Sequence, residues 1–343
     1  MTDDRTPVQP SPDPVDRPAT LRPSATDATT LARPSGSPAP RPELAADCWF
    51  LSGPTASGKS ALGVSLAREL RAEIVSVDSM AVYRGLDVGT AKPTAEQRRA
   101  VPHHLLDVVS PAEPYSVARW LADAAAAVAD CRRRGRNILF VGGTPLYLRA
   151  LRDGLADLPG EDPDLRRRLA AEAAAHGSAH LHARLAAVDP ASAARLHPND
   201  LKRIIRALEV EHLSGHPLSQ AFSPEPHPVF ERQFFVLDLP RPVLYERIDR
   251  RVERMFAEGI VEETRAALAA PGGLGPTAAQ AAGYAEVADL LAGGIDRAEA
   301  IRRTQQRTRQ LAKRQLTWLR SFEKAQWIPA CGVAQGGAGL PMP

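Results

Sequence analysis

Four short runs punctuate the chain: 48–52, Glu73-Ile74-Val75-Ser76-Val77, Asn137-Ile138-Leu139-Phe140-Val141 and Phe234-Phe235-Val236-Leu237-Asp238. Three of them are apolar almost throughout, which predicts strands of a parallel sheet buried on both faces. Between and after them the apolar positions recur at three and four. Residues 61–70, 241–270 and 296–322 therefore predict helices, and in 241–258 Leu244, Ile248, Val252, Met255 and Phe256 share one broad face. Strands alternating with helices predict an α/β fold, a parallel sheet with helices on both faces. From about 161 to 222 no strand pattern occurs and Ala, Leu, Arg and His dominate, so this segment predicts a helical insertion.

The ends of the chain break the pattern. Residues 1–45 hold ten of the 31 prolines and almost no large apolar side chains, a composition that cannot offset the entropy of ordering. A disordered tail is expected there, and a frayed end over the Gly/Pro-rich 329–343. The core is then expected over 46–160 and 223–328, with the insertion, 161–222, between them. No apolar run approaches the ~20 residues of a membrane span, and the N-terminus lacks the apolar segment of a secretory signal. The expected location is the cytoplasm, with no membrane partner. Cys48, Cys131 and Cys331 are odd in number and scattered, so neither a disulfide framework nor a zinc site is indicated.

Directly after the first run comes Gly53-Pro54-Thr55-Ala56-Ser57-Gly58-Lys59-Ser60, a Gly, four free positions, then Gly-Lys-Ser. Between a strand and a helix, this is the phosphate loop of the P-loop NTPase-like folds. Its glycines let backbone wrap an anion, the helix N-terminus aims N–H groups at it, and Lys59 adds a cation. Ligands of such sheets lie beyond the carboxyl ends of the strands. Asp78 and the Gly142-Gly143-Thr144 turn both follow strands and should converge on the loop. A carboxylate at Asp78 is placed to hold Mg²⁺, to act as a general base, or simply to cap the next turn.

With 43 Lys and Arg against 40 Asp and Glu, the net charge of +3 points to no partner by itself. Its distribution says more. Arg247, Arg251 and Arg254 form a stripe along one helix face, suited to a diphosphate or to solvent. The last helix carries Arg302, Arg303, Arg307, Arg309, Lys313, Arg314 and Arg320 with no acid between Glu299 and Glu323. That face points to nucleic acid. Lys202, Arg203 and Arg206 form a second cluster on a helix that Asp200 is placed to cap. His176, His180 and His182 have no Cys or carboxylate to complete a zinc set, and the roles of His103 and His104 stay open.

The stretch from Ser76 to Pro93, Ser-Val-Asp-Ser-Met-Ala-Val-Tyr-Arg-Gly-Leu-Asp-Val-Gly-Thr-Ala-Lys-Pro, resembles the tRNA dimethylallyltransferase family. So do Pro102 to Asp107, Val141 to Tyr147, His197 to Asp200, Arg206 to Glu209 and Arg309 to Gln315. The resemblance implies transfer of a dimethylallyl group from dimethylallyl diphosphate to the exocyclic amine of the adenosine just 3′ of the anticodon. It implies residue roles as well. The loop residues Gly53 to Ser60, with Arg247 or Arg251, would hold the diphosphate, and Lys59 and Ser60 would act on it together with Mg²⁺. Asp78 would be the base and Thr144 would sit beside the target base. Asp78, Ser79, Met80, Ala81, Arg166 and Lys202, Arg203, Ile204, Ile205 and Arg206 would contact tRNA. Arg302, Arg309 and Lys313, which share one face of the last helix, are expected to grip the same anticodon arm. A bacterial-type monomer is expected by analogy. The pattern departs from the family at Gly283-Tyr284-Ala285, which lacks the basic residue often found after the Gly-Tyr. The alternatives are a phosphate-loop small-molecule kinase and an isopentenyltransferase acting on free AMP.

Overall fold

Six strands, every pairing parallel, organise the described residues of the computed structural model, 41–221 and 226–330. They are β1 Cys48–Ser52, β2 Ala72–Val77, β3 His103–His104, β4 Asn137–Gly142, β5 Phe234–Asp238 and β6 Gln326–Pro329, in the order β3-β2-β4-β1-β5-β6. Thirteen helices surround them: α1 Lys59–Glu69, α2 Ala95–Ala100, α3 Val117–Arg133, α4 Pro145–Asp153, α5 Pro163–His176, α6 Ser178–Val188, α7 Pro190–Arg195, α8 Leu201–Ser214, α9 Pro228–Arg232, α10 Arg241–Ala257, α11 Ile260–Ala269, α12 Tyr284–Leu291 and α13 Arg297–Leu319.

The strand pleat sorts the apolar runs into two cores. Phe50, Val75, Val77, Ile138, Phe140, Phe234 and Val236 face one layer, where Trp120 and Leu121 of α3, Tyr147 and Leu148 of α4 and Phe230 of α9 pack on them. Leu51, Ile74, Leu139, Phe235 and Leu237 face the other, against Leu62 and Leu66 of α1, Leu244 and Ile248 of α10 and Ala312 of α13. Both faces are buried, which is why these strands show little polar alternation. At roughly 1.5–3 kcal/mol per fully buried large side chain, this double layer is the main source of stability.

Helices α5 to α8 fill the interval between β4 and β5 and enclose a cluster of their own, with Leu165, Leu169, Leu181, Leu185, Ile204 and Leu208 at its centre. Asp162 caps α5, Asp189 caps α7 and Asp200 caps α8, each accepting from backbone N–H groups of the first turn.

Both edge strands were absent from the sequence expectations. β3 is two histidines long and carries no hydrophobic signal. β6 ends in Pro329, within the segment expected to fray, yet Ile328 and Pro329 pair with Leu237 and Asp238, and Ala330 donates to the Asp238 carbonyl at 2.8 Å. An edge strand needs only one side of its backbone, so proline is tolerated there. At the other end Leu44 is buried in the core at 5% exposure, so the packed chain begins within the segment assigned to a tail. The rest of that tail, 1–40, and residues 331–343 lie outside the described residues.

The β3 edge is fastened by a buried carboxylate. Glu73 of β2 is 2% exposed, its Oε2 lies 2.7 Å from Nε2 of His104, and Arg134 forks onto both of its oxygens. Burial alone pushes this carboxyl up, but the hydrogen bonds from Arg134 and His104 outweigh it and hold Glu73 at about 2. A depressed folded value means stabilisation that is present above the ordinary value of 4.5 and lost as pH falls towards about 2. Glu73→Gln should therefore cost on the order of 2–3 kcal/mol near neutrality. In urea melts the gap from wild type should close between pH 4.5 and the lowest pH at which the fold survives. A gap independent of pH would assign the loss to packing alone.

Candidate active site

Leaving β1, the chain turns through 53–58 into α1. Gly58 has φ 96°, a left-handed conformation that a side chain would strain, and it delivers α1 with its N-terminus open to the cleft. Lys59 folds back to donate to the Pro54 carbonyl at 3.0 Å. Two arginines of α10 reach the loop from the far side: Arg251 Nη1 donates to Thr55 Oγ1 at 3.2 Å, and Arg247 Nη1 lies 3.5 Å from the Ser57 carbonyl. Arg254, the third member of the stripe, lines the cleft behind them. Burial lowers Lys59 to about 8, with Asp78 opposing and the Arg251 charge reinforcing the shift. Burial also lowers Arg251, again opposed by Asp78, though a guanidinium keeps its charge at neutral pH.

β2 and β4 bring the remaining groups. Val77 pairs with Gly142, and a Cβ at Gly142 would lie 2.1 Å from the Val77 carbonyl oxygen, so only glycine fits. Two residues further on, the two strands' continuations are stitched by Thr144, whose N–H donates to the Val77 carbonyl at 3.1 Å and whose Oγ1 accepts from the Ser79 N–H at 3.0 Å. Asp78 Oδ1 accepts from the N–H groups of Met80 at 2.8 Å and Ala81 at 3.3 Å. Its other oxygen has no protein donor among the described hydrogen bonds. One oxygen of the carboxylate thus caps the turn and leaves the other available.

Lys59, Ser60, Asp78, Thr144, Arg251 and Gln315 line one cleft of about 380 Å³. A wider one of about 1460 Å³ opens on the α10 side and is lined by Gly58, Arg98, Arg247 and Arg254. The two share Lys59, Ser60, Lys92, Arg251 and Met255, so the loop lysine is reached from both sides. The floor is the 86–92 segment. Glu263 of α11 accepts from the N–H groups of Asp87, Val88 and Gly89 at 2.6, 2.7 and 2.9 Å and from the Tyr284 hydroxyl at 2.7 Å. Lys92 is buried and donates to Asp87 and to the Tyr83 carbonyl, both at 2.6 Å.

Several lining residues were missed as site residues, three long polar side chains of α13 among them. Gln315, counted as part of the packing stripe, and Arg307 and Arg314, counted with the outer charge, all border the cleft. Nothing in a single sequence says which neighbours a helix face will meet.

The cation clusters are more committed than their sequence suggests. Arg166 forks onto Glu209 at 2.8 Å through both contacts, and Arg206 donates to the same carboxylate and to the Pro159 carbonyl. Ile204 is fully buried in the insertion's core, which corrects its expected contact with tRNA: on α8 it faces inward while Lys202 and Arg203 face out. Ile205 is half-buried against the same cluster, and the Ala81 side chain is 4% exposed. On α13, Arg302 pairs with Glu299, Arg307 with Glu286 and Arg309 with Asp249 at 2.6 Å. The helix is not a uniformly unpaired basic face, because acids from α10 and α12 meet it. Lys313 and Arg314 are exposed and have no acidic partner among the described ion pairs.

For a divalent ion in the cleft the available oxygens are the exposed Ser60 hydroxyl and the open oxygen of Asp78, a hard donor set that fits Mg²⁺. Glu73, His104 and Cys131 also bring one donor atom each within 4.8 Å, but none of the three lines the cleft and Arg134 occupies both Glu73 oxygens.

The family profile described as IPP transferase matches residues 81–322, and that described as isopentenyl transferase matches 46–107. A tRNA dimethylallyltransferase of Anaeromyxobacter dehalogenans is 53% identical over 283 residues, covering 81% of this chain and 93% of that one. The crystal structure of a tRNA isopentenylpyrophosphate transferase from Bacillus halodurans is 40% identical with a TM-score of 0.58, covering 82% of this chain and 89% of that one. A eukaryotic dimethylallyltransferase captured acting on tRNA is 26% identical with a TM-score of 0.68, covering 84% and 75%.

A loop lysine held at about 8 ties anion binding to a proton. Inorganic diphosphate titrated calorimetrically should bind with affinity falling above pH 8, by up to about tenfold per unit beyond the ligand's own titration, because the free protein must then take up a proton. Lys59→Arg, which cannot deprotonate in this range, should remove that component. Identical pH profiles for the two proteins would show that Lys59 does not meet the anion.

Proposed function

The chain belongs to the IPP transferase family and prenylates tRNA; from that premise we propose how its cleft performs the transfer. The dimethylallyl group moves from dimethylallyl diphosphate to the exocyclic amine of the adenosine 3′ to the anticodon, and diphosphate leaves. The observation that carries this reading is the shared cleft: a cation-lined phosphate loop on one side and the Asp78–Thr144 pair on the other, with Lys59 between them.

An adenine amine is a weak nucleophile because its lone pair is delocalised into the ring. The rate then depends on stabilising the departing diphosphate as the allylic carbon gains cationic character. The loop N–H groups, Lys59 and the α10 arginines Arg247 and Arg251 supply that field from the wider opening. Mg²⁺ held near Ser60 would add charge to the leaving group. As the new C–N bond forms, the allylic C–O bond breaks with its electron pair going to diphosphate. The open oxygen of Asp78 takes the proton from the amine. Thr144 holds the turn at Ser79 and lies where the base enters. The base must leave its stack to reach Asp78. The exposed Lys202 of the insertion and Lys313 and Arg314 of α13 have no acidic partner among the described ion pairs and are placed to grip the arm's phosphates, whereas Arg203 would first have to leave Asp200, 2.9 Å away. No helix among the described residues is long and apolar enough to cross a membrane.

The test is incubation of the chain with unmodified tRNA and radiolabelled dimethylallyl diphosphate, alongside AMP as acceptor and ATP as donor. Label should enter tRNA alone. Label in AMP, or phosphate transfer from ATP, would replace this reading by one of its rivals. Asp78→Asn keeps the cap on Met80 and Ala81 but not the base, so turnover should fall by about 10²–10⁴ with diphosphate affinity unchanged. Turnover within a few-fold of wild type would exclude the base role. Neutralising Lys313 and Arg314 together should weaken tRNA binding and reduce the slope of log affinity against log salt by up to about one unit per lost phosphate contact. An unchanged slope in the folded double variant would make this end of α13 merely a solvated face.

A further inference from the structure

Gln315 lies on the inner side of α13 with 8% exposure, and its amide is used twice. Nε2 donates to the Gly143 carbonyl at 2.8 Å, and Oε1 accepts from the Thr55 N–H at 2.8 Å. Its partners are backbone groups of two loops, one following β1 and one following β4. No side chain of either loop makes this link. The loops nearly touch beneath it, since a Cβ on Gly143 would lie 2.9 Å from the Gly53 carbonyl oxygen.

We infer that Gln315 is a positioning residue that fixes the spacing between the diphosphate-holding loop and the base-accepting turn, and ties both to the helix α13. The inference rests on the transfer reaction proposed above. The chain of contacts runs from Arg251 to Thr55 Oγ1, from the Thr55 N–H to Gln315, from Gln315 to Gly143, and from the adjoining Thr144 to Ser79 beside Asp78. The first link lies on the leaving-group side and the last on the nucleophile side, and Gln315 is the link that crosses between them. Transfer demands that the amine and the allylic carbon meet at roughly 3–3.5 Å, and a misplacement of about 1 Å can cost about 10²-fold in rate. The Gln315 amide does both jobs at neutral pH, because it carries a donor and an acceptor on the same planar group. Glutamate keeps the acceptor for Thr55 and loses the donor for Gly143. Methionine keeps the approximate volume and loses both.

The experiment compares wild type, Gln315→Met and Gln315→Glu by steady-state kinetics, thermal melting and amide hydrogen exchange of peptides spanning the two loops. The expected result for Gln315→Met is a kcat lowered about 10–100-fold, with KM for both substrates within about threefold and a melting temperature within a few degrees. Exchange should be faster in both loops and unchanged in β2 and β4. Gln315→Glu should release the Gly143 turn more than the phosphate loop. A folded Gln315→Met with wild-type kcat overturns the inference, as does a loss expressed only in KM or loop exchange that does not change. A wild-type chain that transfers no dimethylallyl group sinks the transferase reading instead, and the exchange comparison still decides whether Gln315 staples the loops.

Discussion

A parallel sheet places every strand's carboxyl end at one edge, and the β2–β4–β1 ladder fixes that edge to the residue. Val77 faces Gly142 across a gap too narrow for any side chain, so Asp78 and Gly143 leave the sheet at the same height. β1 pairs with β4 from the other side, Leu51 opposite Val141, which brings Gly53 under Gly143. Three loops from three strands are thereby held within hydrogen-bonding reach by the sheet itself. Such preorganisation means that little of the binding energy has to be spent on assembling the site. A slip in the pairing of β2 with β4 would turn Val75 and Val77 from one core to the other and separate Asp78 from Thr144 together.

The central sheet was legible because its strands are buried on both faces and so lack polar interruptions. Four of six strands, the phosphate loop and the helices after it follow from that pattern. The edge strands were not legible: β3 spends its two residues on histidines fixed by Glu73, and β6 borrows its register from β5 and ends in a proline. Of the site, Lys59, Asp78 and Thr144 were visible because each directly follows a strand or belongs to a spaced motif. Gln315 was not, since its meaning depends on two backbone groups 260 and 172 residues away. Ile204 was misplaced for the opposite reason. A run of consecutive residues carried over as one contact block ignores that a helix turns its middle members inward.

Counting cations overstates the charge a polyanion meets. Arg166 and Arg206 converge on the fully buried Glu209, whose carboxyl is pushed up by burial yet held below its ordinary value by those two guanidiniums. Removing either would leave that carboxylate poorly compensated in the interior, a larger penalty than a lost surface contact. Their first duty is to hold the insertion's α5 against α8. Arg307 and Arg309 are likewise spent on docking α13 against α12 and α10. In the proposed complex the exposed cations left without an acidic partner among the described ion pairs include Lys202 on α8 and Lys313 and Arg314 on α13, while Arg203 is itself paired with Asp200 at 2.9 Å. Recognition by a few free cations held on rigid helices favours shape over total charge, which suits a folded RNA loop.

The central lysine shows how the site balances stability against chemistry. Holding a half-buried cation beside Arg251 is unfavourable, and burial together with the Arg251 charge lowers the proton affinity of Lys59. Asp78 offsets part of it from across the cleft. In the proposed reaction the diphosphate supplies the missing anion, and its charge on the bridging oxygen grows as the allylic bond breaks. The interaction therefore strengthens between ground state and transition state, which is the property that accelerates a reaction rather than merely tightening binding. Had Lys59 been solvated, the same charge would have been screened and its stabilisation nearly equal in both states. In that reaction the partial burial that disfavours the charged form of Lys59 also strengthens its field on the leaving group.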